Sequence, residues 1–150
     1  RNNLAYAYES AGRLDEAIPL YEQVLADTRR VLGEDHPDTL AFRNNLAYAY
    51  YSAGRLDEAI PLFEGVFADR RRVLGEDHPD TLTSRNNLAY AYQTAGRLDE
   101  AITLFKDTLE VCEEVLSPGH PLTTTVRENL EALERETNPA PAPSPEASEE

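Results

Sequence analysis

The chain has 150 residues, 41% of them hydrophobic and 28% charged, a composition within the range of one ordinary globular domain. Fourteen Lys and Arg against 28 Asp and Glu leave a net charge of −14. That charge argues against partners bound through nucleic-acid phosphates or an anionic membrane surface, and it favours solubility and partners with basic or neutral segments. Cys112 is the single cysteine, so no disulfide forms within these residues, and no apolar run reads as a signal peptide or a membrane span. A cytoplasmic setting is the expectation.

In chain order, the first segment, Arg1-Asn2-Asn3-Leu4-Ala5-Tyr6-Ala7-Tyr8, reads as a helix that Gly12 ends. It begins without Met and inside a helical pattern, so a longer parent chain is expected, with an upstream part that could carry a targeting signal or further repeats. Arg-Leu-Asp-Glu-Ala follows the glycine, and Asp15 is the expected N-cap of a second helix. Its apolar face is Ala17, Ile18, Tyr21, Val24, Leu25, Thr28 and Val31. Pro19 is expected near the end of the first turn, where a missing N–H costs least, and Gly33 suits the C-terminus. His36-Pro37 then starts a third helix with Pro at its first position, running to about Ala53.

From Arg43 the pattern repeats. Residues 1–42 and 43–84 are identical at 35 of 42 positions, and residues 85–126 share the first half and drift in the second. A fourth copy starts as Arg127-Glu128-Asn129-Leu130 and decays. Residues 121–136 read as a last helix in which Val126, Leu130 and Leu133 cover the third repeat while Glu128, Glu131, Glu134 and Glu136 face water, the polar cap that such arrays need. Residues 137–150, rich in Pro, Ala, Ser and Glu, read as a disordered or semi-rigid linker. The whole is all-α, about seven helices, with residues 1–136 forming one array.

The residues Leu4, Ala5, Tyr8, Ala17 and Tyr21, with Leu46, Ala47, Tyr50, Ala59 and Phe63, and then Leu88, Ala89, Tyr92, Ala101 and Phe105, resemble the tetratricopeptide repeat pattern L-G-x2-Y…A-x3-F. The usual Trp is Arg here, Ala replaces the small Gly, and the 42-residue length together with Asn-Asn-Leu-Ala, Gly-Arg-Leu-Asp-Glu-Ala and Leu-Gly-Glu-Asp-His-Pro is similar to the longer repeat of kinesin light chains and of arrays on bacterial signalling ATPases. The resemblance implies a right-handed α-solenoid. It also implies a protein-interaction scaffold whose concave groove, lined by the first helix of each repeat, binds an extended peptide or protein segment.

Carried over residue by residue, that groove comprises Asn2, Asn3, Tyr6 and Glu9 in the first repeat. The second supplies Asn44, Asn45, Tyr48, Tyr51 and Ser52, and the third Asn86, Asn87, Tyr90, Gln93 and Thr94. Asn side chains can satisfy a peptide N–H and C=O together, and Tyr offers a rigid apolar body with a polar tip. Equally, paired Asn residues present in every copy fit a purely structural role in stacking the repeats. Glu9, Tyr51 and Gln93, which vary at one equivalent place within a near-constant scaffold, point best to specificity. The Lys and Arg clamp by which relatives grip acidic C-terminal tails is missing, so such a tail is a poor ligand. An alternative is a structural or regulatory array that packs on an adjacent domain, such as a signalling NTPase, or self-associates end to end through the first repeat.

Other motifs carry less. His36-Pro37-Asp38 and His78-Pro79-Asp80 spell the J-domain tripeptide, but recurrence at each helix start is explained by Pro at the first position. His36, His78 and His120 lie a whole repeat apart and cannot share a metal ion. The Asp-Glu pairs at 15–16, 57–58 and 99–100 suit helix first turns, there is no phosphate-binding Gly-rich loop, and Cys112, at the place of Thr28 and Arg70, is expected to be a partly exposed structural thiol. No enzyme and no cofactor is expected. Ala47 and Ala59 should face each other where two helices cross closely, so Ala47→Leu is expected to destabilise by roughly 1–3 kcal/mol; an unchanged thermal midpoint would contradict that helix register.

Overall fold

The computed structural model describes residues 12–138. Among the described residues there are six helices and no strand: α1 (Leu14–Leu32), α2 (Pro37–Ser52), α3 (Leu56–Leu74), α4 (Pro79–Thr94), α5 (Leu98–Val115) and α6 (Pro121–Thr137). Each packs on its neighbours in sequence, and α4 also touches α6, the pattern of an α-solenoid. The helix expected over residues 1–11 and the segment 139–150 lie outside the described residues.

Two kinds of connection alternate. After α2 and α4 the turn is short. The Arg55 N–H reaches the Tyr50 carbonyl at 2.9 Å and the Gly54 N–H reaches the Tyr51 carbonyl at 3.0 Å, a Schellman closure that needs positive φ at the glycine, here +75°. Arg55 is at once the last residue of that turn and the N-cap of α3. The longer connection after α1 and α3 begins at Gly33 and Gly75, with φ of 90° and 94°. It ends at His36 and His78, whose Nδ1 atoms accept the N–H of Asp38 and Asp80 at 3.1 and 3.0 Å. Histidine is thus the N-cap, with Pro at the first helical position.

Several local expectations change. Asp15, Asp57 and Asp99 are not N-caps, because their helices start one residue earlier and the capping position is an Arg without a side-chain cap bond. The Arg does different work: Arg55 stacks over the Tyr50 ring at 4.6 Å and forks onto Glu58 at 2.8 and 2.7 Å, while Arg97 does the same with Tyr92 at 4.1 Å and Glu100 at 2.9 and 2.6 Å. Pro19 and Pro61 therefore sit in the second turn, on the exposed side. Val31, placed on the buried face by periodicity, is 68% exposed in the last turn of α1. Cys112 is fully buried rather than partly exposed: a small thiol fits between α5 and α6, and burial pushes its pKa up, opposed by Thr123.

The core is a continuous spine of alternate small and large residues. Ala17, Ala59 and Ala101 from α1, α3 and α5, and Ala47 and Ala89 from α2 and α4, are wholly inaccessible, and Tyr21, Phe63 and Phe105 fill the space between them. Val126, Leu130 and Leu133 close the last repeat as expected.

The Arg at the usual Trp place is buried and paired. Arg43 on α2 reaches Asp69 on α3, and Gly65 leaves room for it, since a Cβ there would stand 2.8 Å from its Nη2. In the next repeat Val111 replaces that Asp, and Arg85 turns instead to Glu76 in the preceding loop at 2.6 Å. Asp69→Ala leaves the Arg43 charge without its shortest partner inside the array, with only Glu34 at 4.0 Å remaining; a loss of about 1.5–3 kcal/mol is expected in chemical denaturation, and a loss below a few tenths would show that Glu34 compensates.

Candidate functional site

The first helices of the second and third repeats, α2 and α4, and the terminal helix α6 lie side by side and present one face. Between residues 39–54 and 81–96 the only charged side chains are Arg43 and Arg85, and both turn inward to ion pairs. What this face offers is Asn, Tyr and small hydroxyls.

The Asn residues form an inter-repeat ladder. Asn87 donates through Nδ2 to Asn44 Oδ1 at 3.3 Å, and Asn129 donates to Asn86 Oδ1 at 3.4 Å. Within each pair the first Asn therefore faces the following repeat as acceptor and the second faces the preceding repeat as donor. The fourth unit keeps only Asn129, the inward donor, and carries Glu128 where the acceptor stood. Asn86 is nearly buried, whereas Asn44, Asn45 and Asn87 remain half-buried. The stacking role of the Asn residues is thus real, and one donor hydrogen on Asn87 and its carbonyl stay outside the ladder.

Above the ladder stand three tyrosines. Tyr48 and Tyr90 are 53% and 44% exposed, large apolar rings left uncovered by the array itself. Tyr51 stacks on Tyr48 with centroids 6.0 Å apart and tilts against Tyr90 at 5.8 Å. Its hydroxyl lies 2.8 Å from Thr94 Oγ1, and because the Thr94 hydroxyl proton goes to the Tyr90 carbonyl at 3.1 Å, Tyr51 is the donor. Burial raises the Tyr51 pKa, so the hydroxyl is neutral at physiological pH. Tyr48, Tyr51 and Tyr90 with Asn86, Asn87 and Phe63 enclose a pocket of about 60 Å³. Ser52 is exposed at the end of α2, and Gln93 places a buried Oε1 without a hydrogen-bond partner on the next helix. Of the residues expected to line a groove, Asn44, Tyr48, Tyr51, Asn86, Asn87, Tyr90 and Thr94 come together here, while Asn45 is half-buried on α2. Asn2, Asn3, Tyr6 and Glu9 lie outside the described residues.

A larger opening of about 400 Å³ lies between α3 and α5, floored by Phe67, Leu88, Tyr92 and Leu104. Its rim is already engaged: Glu100 is clamped by Arg97, and Arg71 covers the Phe67 ring at 5.0 Å. None of the sequence-singled groove residues lines it. Among the described residues no group of acidic, His or Cys side chains is placed to hold a metal ion, and no helix is long and apolar enough to cross a membrane.

The tetratricopeptide repeat pattern matches residues 1–64, 38–114 and 85–142, which together span nearly the whole sequence. The chain belongs to the tetratricopeptide repeat family. Among solved structures, this tetratricopeptide array is similar to the nearly identical TPR-like repeats of a Podosopora anserina protein named for kinesin light chain, at 33% identity and a TM-score of 0.82, covering 91% of this chain and 64% of that one. The array thus spans somewhat less than two thirds of that relative's length. BtubC (BKLC) from P. vanneervenii superposes with a TM-score of 0.81 at 22% identity over 91% of this chain and 54% of that chain, and shares the fold. The type III secretion translocator chaperone SycD of Yersinia enterocolitica does so at 0.66 and 18%, over 91% and 82%. No curated protein matches the chain.

The ladder separates two kinds of residue on this face. Asn87→Ala is expected to lower stability by about 0.5–1.5 kcal/mol through loss of its bond to Asn44, whereas Tyr48→Ala should leave the thermal midpoint within experimental scatter; equal effects of the two would mean that the ladder does not hold the repeats.

Proposed function

We propose that this tetratricopeptide array is a protein–protein interaction scaffold that binds an extended peptide segment in the groove lined by α2, α4 and the equivalent helix of the first repeat. The observation that carries the reading is the cluster of Tyr48, Tyr51 and Tyr90. Two of its rings stay largely in water although the array buries every other aromatic side chain of α2 to α5 deeply or in part. Exposed aromatic rings beside a pocket are the usual anchors of an interface, since they gain contact area while losing few rotamers. The Asn carbonyl and N–H left over from the ladder suit an extended backbone, which presents a donor and an acceptor at each residue.

The family's members act characteristically as interaction scaffolds and not as catalysts, and the polar groups of this face are explained by stacking and by peptide contact. Asn87 belongs to the ladder, so the tyrosines give a cleaner test than the Asn residues. Selection from a random dodecapeptide phage library on the intact chain should enrich a set of binders. A Tyr48→Ala/Tyr90→Ala double variant, with an unchanged melt, should lose them by at least tenfold in affinity. Binders that hold equally well to the double variant, or no enrichment at all, would overturn the groove as the binding site.

A further inference from the structure

The tyrosine cluster is an apolar opening that the helices leave uncovered, and the chain itself carries a segment of matching chemistry. Tyr48 and Tyr90 are 53% and 44% exposed beside the small pocket they form with Tyr51, Phe63, Asn86 and Asn87. Between residues 39–54 and 81–96 no exposed charge stands on α2 or α4, since Arg43 and Arg85 are buried and ion-paired. Residues 139–145 are equally uncharged: Pro139, Pro141, Pro143 and Pro145 alternate with Ala140, Ala142 and Ser144, and acidic residues begin only at Glu146. This segment also starts at the right end of the face. Asn138, the C-cap of α6, holds the register place of Gly54 and Gly96, so the chain leaves α6 level with the turns that follow Tyr51 and Thr94. The charges it passes there balance: exposed Arg135 and Glu136, opposite in sign, stand at the places of Gln93 and Thr94. Glu131 and Glu134 hold the places of Ala89 and Tyr92, which point into the array, and Glu128 holds the Asn86 place, on the side turned away from α4.

Resting on the groove reading above, we propose that residues 139–145 dock in cis across α6 and α4, with Pro143 seated among Tyr48, Tyr51 and Tyr90, so that a partner must displace them. Distance selects the residue. Packed helices lie about 8–10 Å apart and the tyrosine pocket sits between α2 and α4, so it is about 15 Å from α6. A polyproline segment advances about 3.1 Å per residue, so about five residues beyond Asn138 span the gap and Pro143 arrives at the rings. Proline rings are apolar and φ is already fixed at four of these seven residues, which leaves little chain entropy to lose on docking. Such a segment presents a carbonyl at every residue but an N–H only at alternate ones, so it is rich in acceptors. The face answers with donors, the Tyr48 hydroxyl and the Asn87 amide hydrogen left over from the ladder. A tether this short holds the segment at an effective concentration of about a millimolar, so a weak contact is well populated.

The test uses the intact chain with a nitroxide attached at Ser148→Cys; the native Cys112 is wholly inaccessible and stays unlabelled. Paramagnetic broadening of backbone amide resonances should be strong at residues 48–52 and 86–94 and weak at residues 22–26 on α1. It should vanish in both Tyr48→Ala/Tyr90→Ala and Pro141→Asp/Pro143→Asp, and it should persist when an excess of chain without isotope or nitroxide is added. Uniform broadening, or broadening indifferent to either pair of substitutions, would overturn the docking; broadening lost on adding the excess chain would assign the segment to a second copy instead. The dodecapeptides selected above supply the second readout. Because a docked segment leaves only a fraction of grooves open, Pro141→Asp/Pro143→Asp should tighten their binding roughly threefold or more, measured by fluorescence anisotropy. Equal affinity for the parent chain and this variant, with binders still lost on Tyr48→Ala/Tyr90→Ala, would sink the cis competitor and leave the groove in place. Groove-confined broadening with no enriched binders would instead keep the docked segment and remove the groove as a partner site.

Discussion

The structure depends on the closeness with which successive helices approach. A single pair such as α2 and α3 leaves an apolar stripe that only the next pair can cover, so stability comes from neighbours rather than from any one repeat. Contact at backbone range requires side chains no larger than a methyl at the crossings, which is why Ala17, Ala47, Ala59, Ala89 and Ala101 are all completely inaccessible. The bulk removed there is returned by Tyr21, Phe63 and Phe105, one large ring per repeat from the second helix of each unit. Small and large positions in alternation fix the spacing of the helices, and that spacing fixes the pitch at which polar groups on the flanks can meet.

Those polar groups then select one register out of several that an apolar spine would allow. Arg43 with Asp69 and the Asn44–Asn87 and Asn86–Asn129 pairs each link groups that must be aligned to a few tenths of an ångström. A buried charge or amide gains little in net energy over a well-packed apolar side chain, but it costs considerably when its partner is displaced. The third repeat shows the rule at work. With Val111 in place of the Asp, Arg85 keeps its inward position by turning to Glu76 and resting 5.2 Å from the Phe67 ring. The terminal unit shows it again, by retaining Asn129 for the repeat behind it and dropping the Asn for which no following repeat is present in the described array.

Once the spine and the ladder have taken their residues, the remainder of the face is what a partner meets. Tyr50 and Tyr48 illustrate the division, two residues apart on one helix. Tyr50 turns inward under the Arg55 guanidinium and donates to Glu22, and burial, followed by that hydrogen bond, pushes its pKa up to about 12. Tyr48 points outward, half exposed, and stacks on Tyr51. The two belong to the same Ala-Tyr-Ala-Tyr stretch, and helical geometry alone sends them to different surroundings.

The repeat period, the all-helical class, the positions of the glycine turns and the small-residue crossings follow from the sequence by itself, because each reports a local or periodic requirement that recurs in every copy. The Tyr and Asn face was legible as a candidate for the same reason. Repetition could not say which member of an Asn pair stacks and which stays open, since both recur equally. Only the tertiary structure decides that, by setting α4 against α2 at a distance where Asn87 reaches Asn44 and by leaving Tyr48 and Tyr90 uncovered. It likewise moved the helix starts from Asp15, Asp57 and Asp99 to the preceding leucines, because Arg55 and Arg97 stack on tyrosines of the preceding helix and clamp Glu58 and Glu100, contacts that no residue-by-residue capping preference contains. Cys112 was misplaced for the same physical reason: burial is a property of what lies across from a position, and the residues across from it on α6 are not its neighbours in sequence.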